Sequence, residues 1–290
     1  MIIHHFRDSI TGPIVGVGHS MGGNNLINLS LMHPRLFSAL ILLDPGVHPV
    51  HRNPQLIYTA QLSVGRRTNW PTRSEARSAF KRSKMIQSWE PRVFNLWMKY
   101  GIRDVLEGNG AVELVTRRDQ EMFTFVRFDR GRIEQDVTST DPKDLEQIDT
   151  GPYFTRASPN VSFYNLGKVQ PSSLFIHGGD SAVSPPSIRK ARINATLAGR
   201  AKKDGKPTRD VKEVLLDGIG HLIPMLVPRE TAAAIAGWLP DELRRVQQAE
   251  EEDLKAWEGL APEARSRMSE KASLLLKYGR APQGAIKGKF

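Results

Sequence analysis

The sequence predicts an α/β protein with a parallel central sheet, and three segments near its start support that class. Residues 14–17 are a short apolar run typical of a buried strand, and residues 24–32 follow as a helix that ends at His33-Pro34. Residues 37–43 are a second apolar run, which ends in Asp44-Pro45-Gly46. Strand, helix and strand in this order form one βαβ unit, which places two parallel strands in the same sheet.

A G-x-S-x-G pentapeptide joins the first strand to the helix, with its fixed positions at Gly18, Ser20 and Gly22. In such a nucleophile elbow the serine occupies a sharp, strained turn, and we expect a Cβ at either glycine to collide with the adjoining strand and helix. The helix points its amino terminus at Ser20, so the N–H of Met21 is placed to stabilise an oxyanion. A phosphate-binding loop is disfavoured, because no G-x-G-x-x-G opens this helix and no lysine follows the glycines.

Composition narrows the function classes without selecting one. The chain has 290 residues, of which 39% are hydrophobic and 25% charged, as in an ordinary globular protein. No apolar run is long enough to span a membrane, and no signal peptide is apparent. The absence of cysteine excludes disulfides, thiol nucleophiles and cysteine-ligated zinc, and mildly favours an intracellular location, cytoplasmic or peroxisomal.

The formal net charge of +10 raises the question of nucleic-acid binding. The basic residues are spread through the middle and the end of the chain without a recognisable DNA- or RNA-binding motif. We therefore expect a solvated basic face and no nucleic-acid partner. Such a field would also suit an anionic small substrate, for example a nucleotide-bearing acyl thioester.

The remaining chain is predicted as a helical cap, a return to the sheet and a C-terminal extension. The cap covers residues 51–164, with Thr72 as an N-cap and Glu75 three residues later in a capping box. The core comprises residues 1–50 and 165–240, with strands at 172–176 and 211–216 and a helix at 229–239. The extension, residues 241–290, contains an amphipathic helix at 262–278 and a basic tail.

A serine hydroxyl needs a base to take its proton and an acid to orient that base. His221 fits the role of base, since it lies in a glycine-flanked loop after the last predicted strand and before a helix. For the acid two candidates stay open. Asp44 follows the strand after the elbow helix and is favoured. Asp180 is the alternative, in His177-Gly178-Gly179-Asp180-Ser181, where the usual aspartate position of this loop falls on Ser181 and Asp180 is one residue early.

These motifs resemble the α/β-hydrolase superfamily. His-Ser-Met-Gly-Gly-Asn at 19–24, His-Pro-Arg-Leu-Phe at 33–37 and Leu-Leu-Asp-Pro-Gly at 42–46 carry the resemblance. The cap segments 69–76, 89–93 and 100–103 are similar to a fungal subgroup with peroxisomal lipases, toxin-biosynthesis hydrolases and an acyl-CoA hydrolase of mycophenolic acid synthesis. In the last of these the acid resembles Asp44 in placement.

The resemblance implies an α/β-hydrolase fold that lacks its N-terminal strands, because the superfamily places several strands ahead of the elbow. The His-Gly loop that supplies a second oxyanion donor in the superfamily would be absent together with those strands. Residues 1–7 then correspond to the end of the helix before the elbow strand. The final tripeptide, Gly288-Lys289-Phe290, is a weak variant of a peroxisomal address.

Together these features predict a serine hydrolase that cleaves a carboxylic ester or acyl thioester through Ser20, His221 and an acyl-enzyme intermediate. No metal or organic cofactor is expected, and the partner is a small acyl substrate. Five cap aromatics are candidates for an acyl-chain pocket, or else for the packing of the cap itself: Trp70, Trp89, Phe94, Trp97 and Tyr100. The alternative function is a catalytically inactive remnant that acts as a binding protein.

Overall fold

The computed structural model describes residues 5–6, 9–10, 12–50, 54–106, 109–199, 202–203, 206–207 and 209–279. The prediction for residues 1–7 falls largely outside the described residues, and the one for the final tripeptide falls wholly outside them. The chain divides into two compact units, Met1–Glu242 and Leu243–Phe290. In the described part, no helix is both long and apolar enough to cross a membrane.

The first unit contains a parallel sheet of four strands in the order β1-β2-β3-β4. The strands are β1 (Val15–His19), β2 (Ala39–Leu43), β3 (Ser172–Gly178) and β4 (Val211–Leu216). The elbow helix α1 (Met21–Met32) connects β1 to β2, and α2 (Pro186–Ala198) lies between β3 and β4. Because the four strands are parallel and adjacent, their carboxyl ends meet along one edge of the sheet.

Both faces of the sheet are covered by apolar side chains. Successive residues of β2 point to opposite faces, and each set packs into a different cluster. Leu40 and Leu42 pack into one apolar cluster with Ile27 of α1. Ile41 and Leu43 pack into a second cluster, on Ile223. Helices Ile223–Leu226 and Pro228–Ala236 follow β4. A 3-10 turn Leu166–Lys168 precedes β3, and the short strands Lys202–Lys203 and Lys206–Pro207 pair before β4.

Helices make up much of the described segment between β2 and β3, and Thr72 accepts a hydrogen bond from the N–H of Glu75 (3.1 Å) at the start of its helix. The segment also contains short strands that the sequence did not predict. Asn69–Trp70, Val112–Leu114 and Ile102–Asp104 form a three-stranded antiparallel sheet, and Arg127–Phe128 pairs with Phe154–Thr155. The helices of this cap are Pro54–Val64, Arg73–Lys81, Lys84–Gln87, Pro91–Tyr100, Arg118–Phe125, Arg130–Asp136, Pro142–Leu145 and Ser158–Tyr164.

The cap has an apolar core of its own. Trp70 and Phe94 are buried in it with Phe80, and Trp89 and Trp97 pack against it half-buried. Tyr100 is 63% exposed. The positions of the three tryptophans and of Phe94 agree with cap packing, the second of the two predicted roles, whereas that of Tyr100 does not.

The second unit is helical. The last three helices of the described chain are Leu239–Glu258, Pro262–Arg265 and Glu270–Tyr278. The single helix predicted over 262–278 is therefore wrong. Ser269 begins a new helix by accepting a hydrogen bond from the N–H of Ala272 (3.2 Å), which is an N-cap that the sequence pattern did not reveal.

Candidate active site

Ser20 lies in the turn between β1 and α1, and tight packing around the glycines shapes that turn. A Cβ on Gly18 would lie 2.6 Å from the backbone of Gly22 and of Gly23, so no side chain fits there. A Cβ on Gly23 would lie 2.9 Å from Pro45, whereas one on Gly22 would meet nothing within 4 Å. The predicted collision at Gly22 is therefore wrong. The close approach of helix to strand falls one residue later, on Gly23.

Backbone hydrogen bonds fix Ser20 and Asp44 at the carboxyl ends of adjacent strands. The N–H of Ser20 donates to the carbonyl of Leu43 (2.9 Å), and the N–H of Asp44 donates to the carbonyl of Ile176 (2.8 Å). Both residues have positive φ, 53° at Ser20 and 42° at Asp44. Such backbone is strained for non-glycine residues and is concentrated at functional sites.

His221 joins the two side chains. It lies in the loop after β4, and its Nε2 accepts the hydrogen bond of the Ser20 Oγ–H at 2.9 Å. Its Nδ1–H donates to Oδ2 of Asp44 at 2.5 Å. The side chain of His221 is 25% exposed, whereas that of Asp44 is fully buried. This continuous chain of hydrogen bonds from hydroxyl to imidazole to carboxylate can activate the hydroxyl as a nucleophile.

The two candidate acids have different environments. Asp44 contacts His221 directly, whereas the side chain of Asp180 is exposed and only its backbone N–H is bonded, to the carbonyl of Ile219 (3.0 Å). Burial raises the pKa of Asp44, but hydrogen bonds from His221 and Ser181 lower it by more, so the net pKa lies below the ordinary carboxyl value. Asp44 is therefore an anion at neutral pH, facing the imidazole.

His19, the residue before the nucleophile, supports the imidazole loop. Its Nε2–H donates to the backbone carbonyl of His221 at 2.8 Å, and the two rings lie 4.8 Å apart. Burial lowers the pKa of His19, which keeps it neutral, and the backbone hydrogen bond opposes this in part. Sequence reasoning missed this contact because it joins residues that lie 202 positions apart.

The predicted oxyanion donor, the N–H of Met21, belongs to the first residue of α1, where no carbonyl of the same helix can accept it. The loop after Asp44 approaches this point, since the N–H of Gly46 donates to the carbonyl of Ser20 (2.8 Å). A Cβ on Gly46 would lie 3.5 Å from the nitrogen of Met21. The helix dipole and this free N–H both favour negative charge beside Ser20.

The cap meets the core close to the histidine loop. The backbone N–H of Glu90 donates to the carbonyl of Met225 (2.9 Å), in the helix Ile223–Leu226 that begins two residues after His221. Ser158 and Ser162, at the end of the cap, bond the fully buried Asn24 of α1 at 3.0 and 2.6 Å. The cap is thus attached to both sides of the elbow.

Among the described residues, no three acidic or histidine side chains are grouped so as to hold a metal ion. A buried pair, His177 and Arg192, lies beneath the loop after β3. His177 Nδ1 contacts Glu213 at 2.8 Å, and burial lowers the pKa of His177 to about 4, helped by the charge of Arg192. Sequence reasoning took His177 only as an alignment point for the acid.

Residues 2–234 match the alpha/beta hydrolase family. The chain belongs to this family. The predicted α/β-hydrolase fold is thereby confirmed. The chain is 34% identical over 236 residues to the abhydrolase domain-containing protein AKT2 of Alternaria alternata, covering 78% of this chain and 83% of AKT2.

Two further proteins that resemble the chain are longer than it. The type I acyl-CoA thioesterase mpaH of Penicillium roqueforti is 30% identical over 284 residues, which cover 87% of this chain and 64% of mpaH. The peroxisomal α/β-hydrolase Lpx1 of Saccharomyces cerevisiae has the same fold at a TM-score of 0.54 and 14% identity, with 95% of this chain and 62% of Lpx1 covered. The predicted resemblance to fungal hydrolases of this kind is therefore confirmed.

Proposed function

We propose that this hydrolase is a serine esterase or thioesterase with Ser20 as nucleophile, His221 as general base and acid, and Asp44 as the acid that orients His221. One observation carries the proposal: Ser20 Oγ, His221 and Asp44 form a continuous chain of hydrogen bonds at 2.9 and 2.5 Å. The predicted alternative acid, Asp180, is not part of that chain.

In the first half of the reaction, Ser20 Oγ attacks the acyl carbonyl carbon while its proton passes to Nε2 of His221. The negative charge that forms on the carbonyl oxygen is stabilised by the N–H of Met21. The carbon–sulfur or carbon–oxygen bond then breaks, and the leaving thiol or alcohol takes the proton from Nε2. An acyl-enzyme on Ser20 remains.

In the second half, a water molecule gives a proton to Nε2 of His221 and attacks the acyl carbon. The bond to Ser20 Oγ breaks, Oγ recovers the proton from Nε2, and the carboxylic acid leaves. In both halves the imidazole is transiently a cation, and the buried Asp44 carboxylate stabilises that charge. No metal or organic cofactor takes part in this scheme.

Acyl thioesters are the substrate class we favour over simple esters. A relative that is 30% identical is named a type I acyl-CoA thioesterase. The net charge of +10 would raise the local concentration of a polyanionic thioester such as an acyl-CoA. Ester cleavage by the same triad stays an alternative, because the mechanism is common to both.

The test begins with a fluorophosphonate probe, which labels activated serines. We expect the purified protein to be labelled at Ser20, and we expect Ser20→Ala to remove the label. Ser88→Ala is the matched control, since Ser88 is an exposed serine whose hydroxyl donates to the carbonyl of Met85 (2.6 Å) away from the triad. Acyl-CoA and p-nitrophenyl esters of the same chain length then separate thioesterase from esterase activity.

A folded, monodisperse protein that never labels would exclude the serine hydrolase and leave the predicted alternative, an inactive binding protein. Labelling that survives Ser20→Ala would place the nucleophile elsewhere.

A cytoplasmic or peroxisomal location stays a prediction. The peroxisomal alternative is supported by the structural neighbour Lpx1, which is named as peroxisomal and shares only the fold with this chain. Fluorescence microscopy of the tagged chain with and without the last three residues would test the peroxisomal alternative.

A further inference from the structure

A serine in a different loop contacts Asp44, the proposed acid. Ser181 lies in the loop after β3 and is 4% exposed. Its Oγ is 2.5 Å from Oδ2 of Asp44, the same oxygen that accepts the hydrogen bond of His221 Nδ1 at 2.5 Å. The N–H of Val183 donates to Ser181 Oγ (3.2 Å), so the hydroxyl proton is left to point at the carboxylate.

Resting on the function proposed above, we propose that Ser181 is a positioning residue for the acid. Its hydroxyl fixes the rotation of the Asp44 carboxyl so that Oδ2 faces His221 Nδ1.

The carboxyl needs such a restraint because its rotation is easy and one of its two oxygens is unbonded. The terminal torsion of an aspartate is soft and nearly two-fold. Asp44 is fully buried, and its other oxygen, Oδ1, has no hydrogen-bond partner among the described side chains and backbone groups. Without Ser181, the carboxyl would be left with the bond to His221 and with the Ser184 hydroxyl, which acts on it more weakly than Ser181 does. That bond must remain intact while the imidazole gains and loses its proton at Nε2.

Arg192 of α2 holds the loop that carries Ser181. Its side chain is fully buried, and it donates to the Ser184 hydroxyl (2.6 Å) and the Val183 carbonyl (3.1 Å) of that loop. Its Nε donates to the carbonyl of Val47 (2.6 Å), in the loop that begins at Asp44. One guanidinium therefore ties the loop that carries the acid to the loop that carries Ser181. The charge is retained at neutral pH, since burial lowers the pKa of Arg192 only to about 10.

The charged and titratable groups that act electrostatically on Asp44, or that its charge acts on, are His221, Arg192, His177 and His19. Ser181 acts in the same direction as the cations among them, because a hydrogen bond to the charged carboxylate lowers its pKa. Removing the hydroxyl raises the pKa of Asp44 and leaves more of its negative charge to hold a proton on the imidazole, so the acid limb of the activity profile moves to higher pH. A serine with a purely structural role would not move that limb.

The experiment compares Ser181→Ala with Ser173→Ala, using wild-type protein and p-nitrophenyl butyrate as the substrate. Ser173 is a fully buried serine of the same strand and loop segment, but its hydroxyl donates to the carbonyl of Pro171 (3.2 Å) at the opposite end of β3. We expect Ser181→Ala to lower kcat about tenfold, the effect of losing one hydrogen bond to a charged group, with KM within about twofold. Ser173→Ala leaves kcat and the pH profile unchanged.

Ser181→Cys covers the case in which the alanine variant does not fold. A thiol is close in shape and a weak donor, so kcat falls to a value between those of serine and alanine. The proposal is overturned if either folded variant keeps the wild-type kcat and acid limb.

A third measurement does not need turnover, namely the NMR resonance of the His221 Nδ1 proton as a function of pH. In Ser181→Ala this resonance broadens or moves relative to wild type if Ser181 holds the carboxylate. An unchanged resonance overturns the proposal even in an inactive protein. If the wild type neither labels with fluorophosphonate nor hydrolyses ester, the proposed function fails separately from this result.

Discussion

Replacing Asp44 by asparagine tests which residue is the triad acid. The change keeps the shape of a fully buried side chain and removes one negative charge that lies 2.5 Å from Nδ1 of His221. Asparagine can still accept hydrogen bonds from His221 and Ser181 through its carbonyl oxygen. The main loss is therefore the charge that stabilises the imidazolium in the transition state, with little loss of packing.

The expected size of that loss follows from the geometry. Two unit charges centred about 4 Å apart interact by about 4 kcal/mol at an effective dielectric constant of about 20. Because about 1.4 kcal/mol corresponds to a factor of ten in rate, Asp44→Asn should lower kcat about a thousandfold. KM should change little, since the carboxylate is buried and does not reach the substrate.

The assay is steady-state hydrolysis of p-nitrophenyl butyrate, with the rate of fluorophosphonate labelling as a second measure. Asp180→Asn is the matched control, because Asp180 is exposed and we expect its variant to keep kcat within about twofold. Circular dichroism would check that both variants are folded. The reasoning is refuted if Asp180→Asn loses activity while Asp44→Asn keeps more than about a tenth of it.

Two further predictions concern stability. Folding lowers the pKa of the buried His177 from 6.5 to about 4, so as the pH falls the unfolded state binds a proton at this residue before the folded state does. The free energy of unfolding should therefore decrease by on the order of 3 kcal/mol between those pH values because of His177. In urea unfolding, His177→Gln should lose less stability than the wild type over the same pH range, and an equal loss would show that His177 does not titrate in this way. Gly18→Ala should destabilise the folded protein by about 3 kcal/mol or more, because the new Cβ would lie 2.6 Å from backbone atoms. Gly22→Ala should be neutral or slightly stabilising in thermal unfolding, because its Cβ would meet no atom within 4 Å. The reverse order of stability would contradict this packing.

Local patterns were sufficient to predict the elbow. A strand, a glycine-flanked serine and a helix are consecutive in sequence, so the βαβ unit and the N-cap at Thr72 could be predicted without knowing any distant contact. His221 was found in the same way, from its place after the last strand. The sheet register brings these residues to one edge, and parallel pairing alone predicts that edge.

The supports of the triad could not be predicted, because they depend on contacts between distant segments. Ser181 and Asp44 lie 137 positions apart, and their contact exists only because β2 and β3 are neighbours. Arg192 follows Arg189 and Lys190 on the same helix, and nothing in the sequence distinguishes the fully buried arginine from these two cations. The one indication of Ser181 in the sequence was that the usual aspartate position of its loop falls on this serine.

The positive φ angles at Ser20 and Asp44 imply a trade between stability and chemistry. The two residues follow His19 and Leu43, which are paired in register, so two unfavourable backbone conformations lie just beyond the ends of neighbouring strands. Each costs on the order of 1–3 kcal/mol, and glycine would adopt the same angles without that cost. Glycine at Ser20 would relieve the strain but remove the proposed nucleophile, whereas glycine at Asp44 would also leave the donors of His221 and Ser181 without their acceptor.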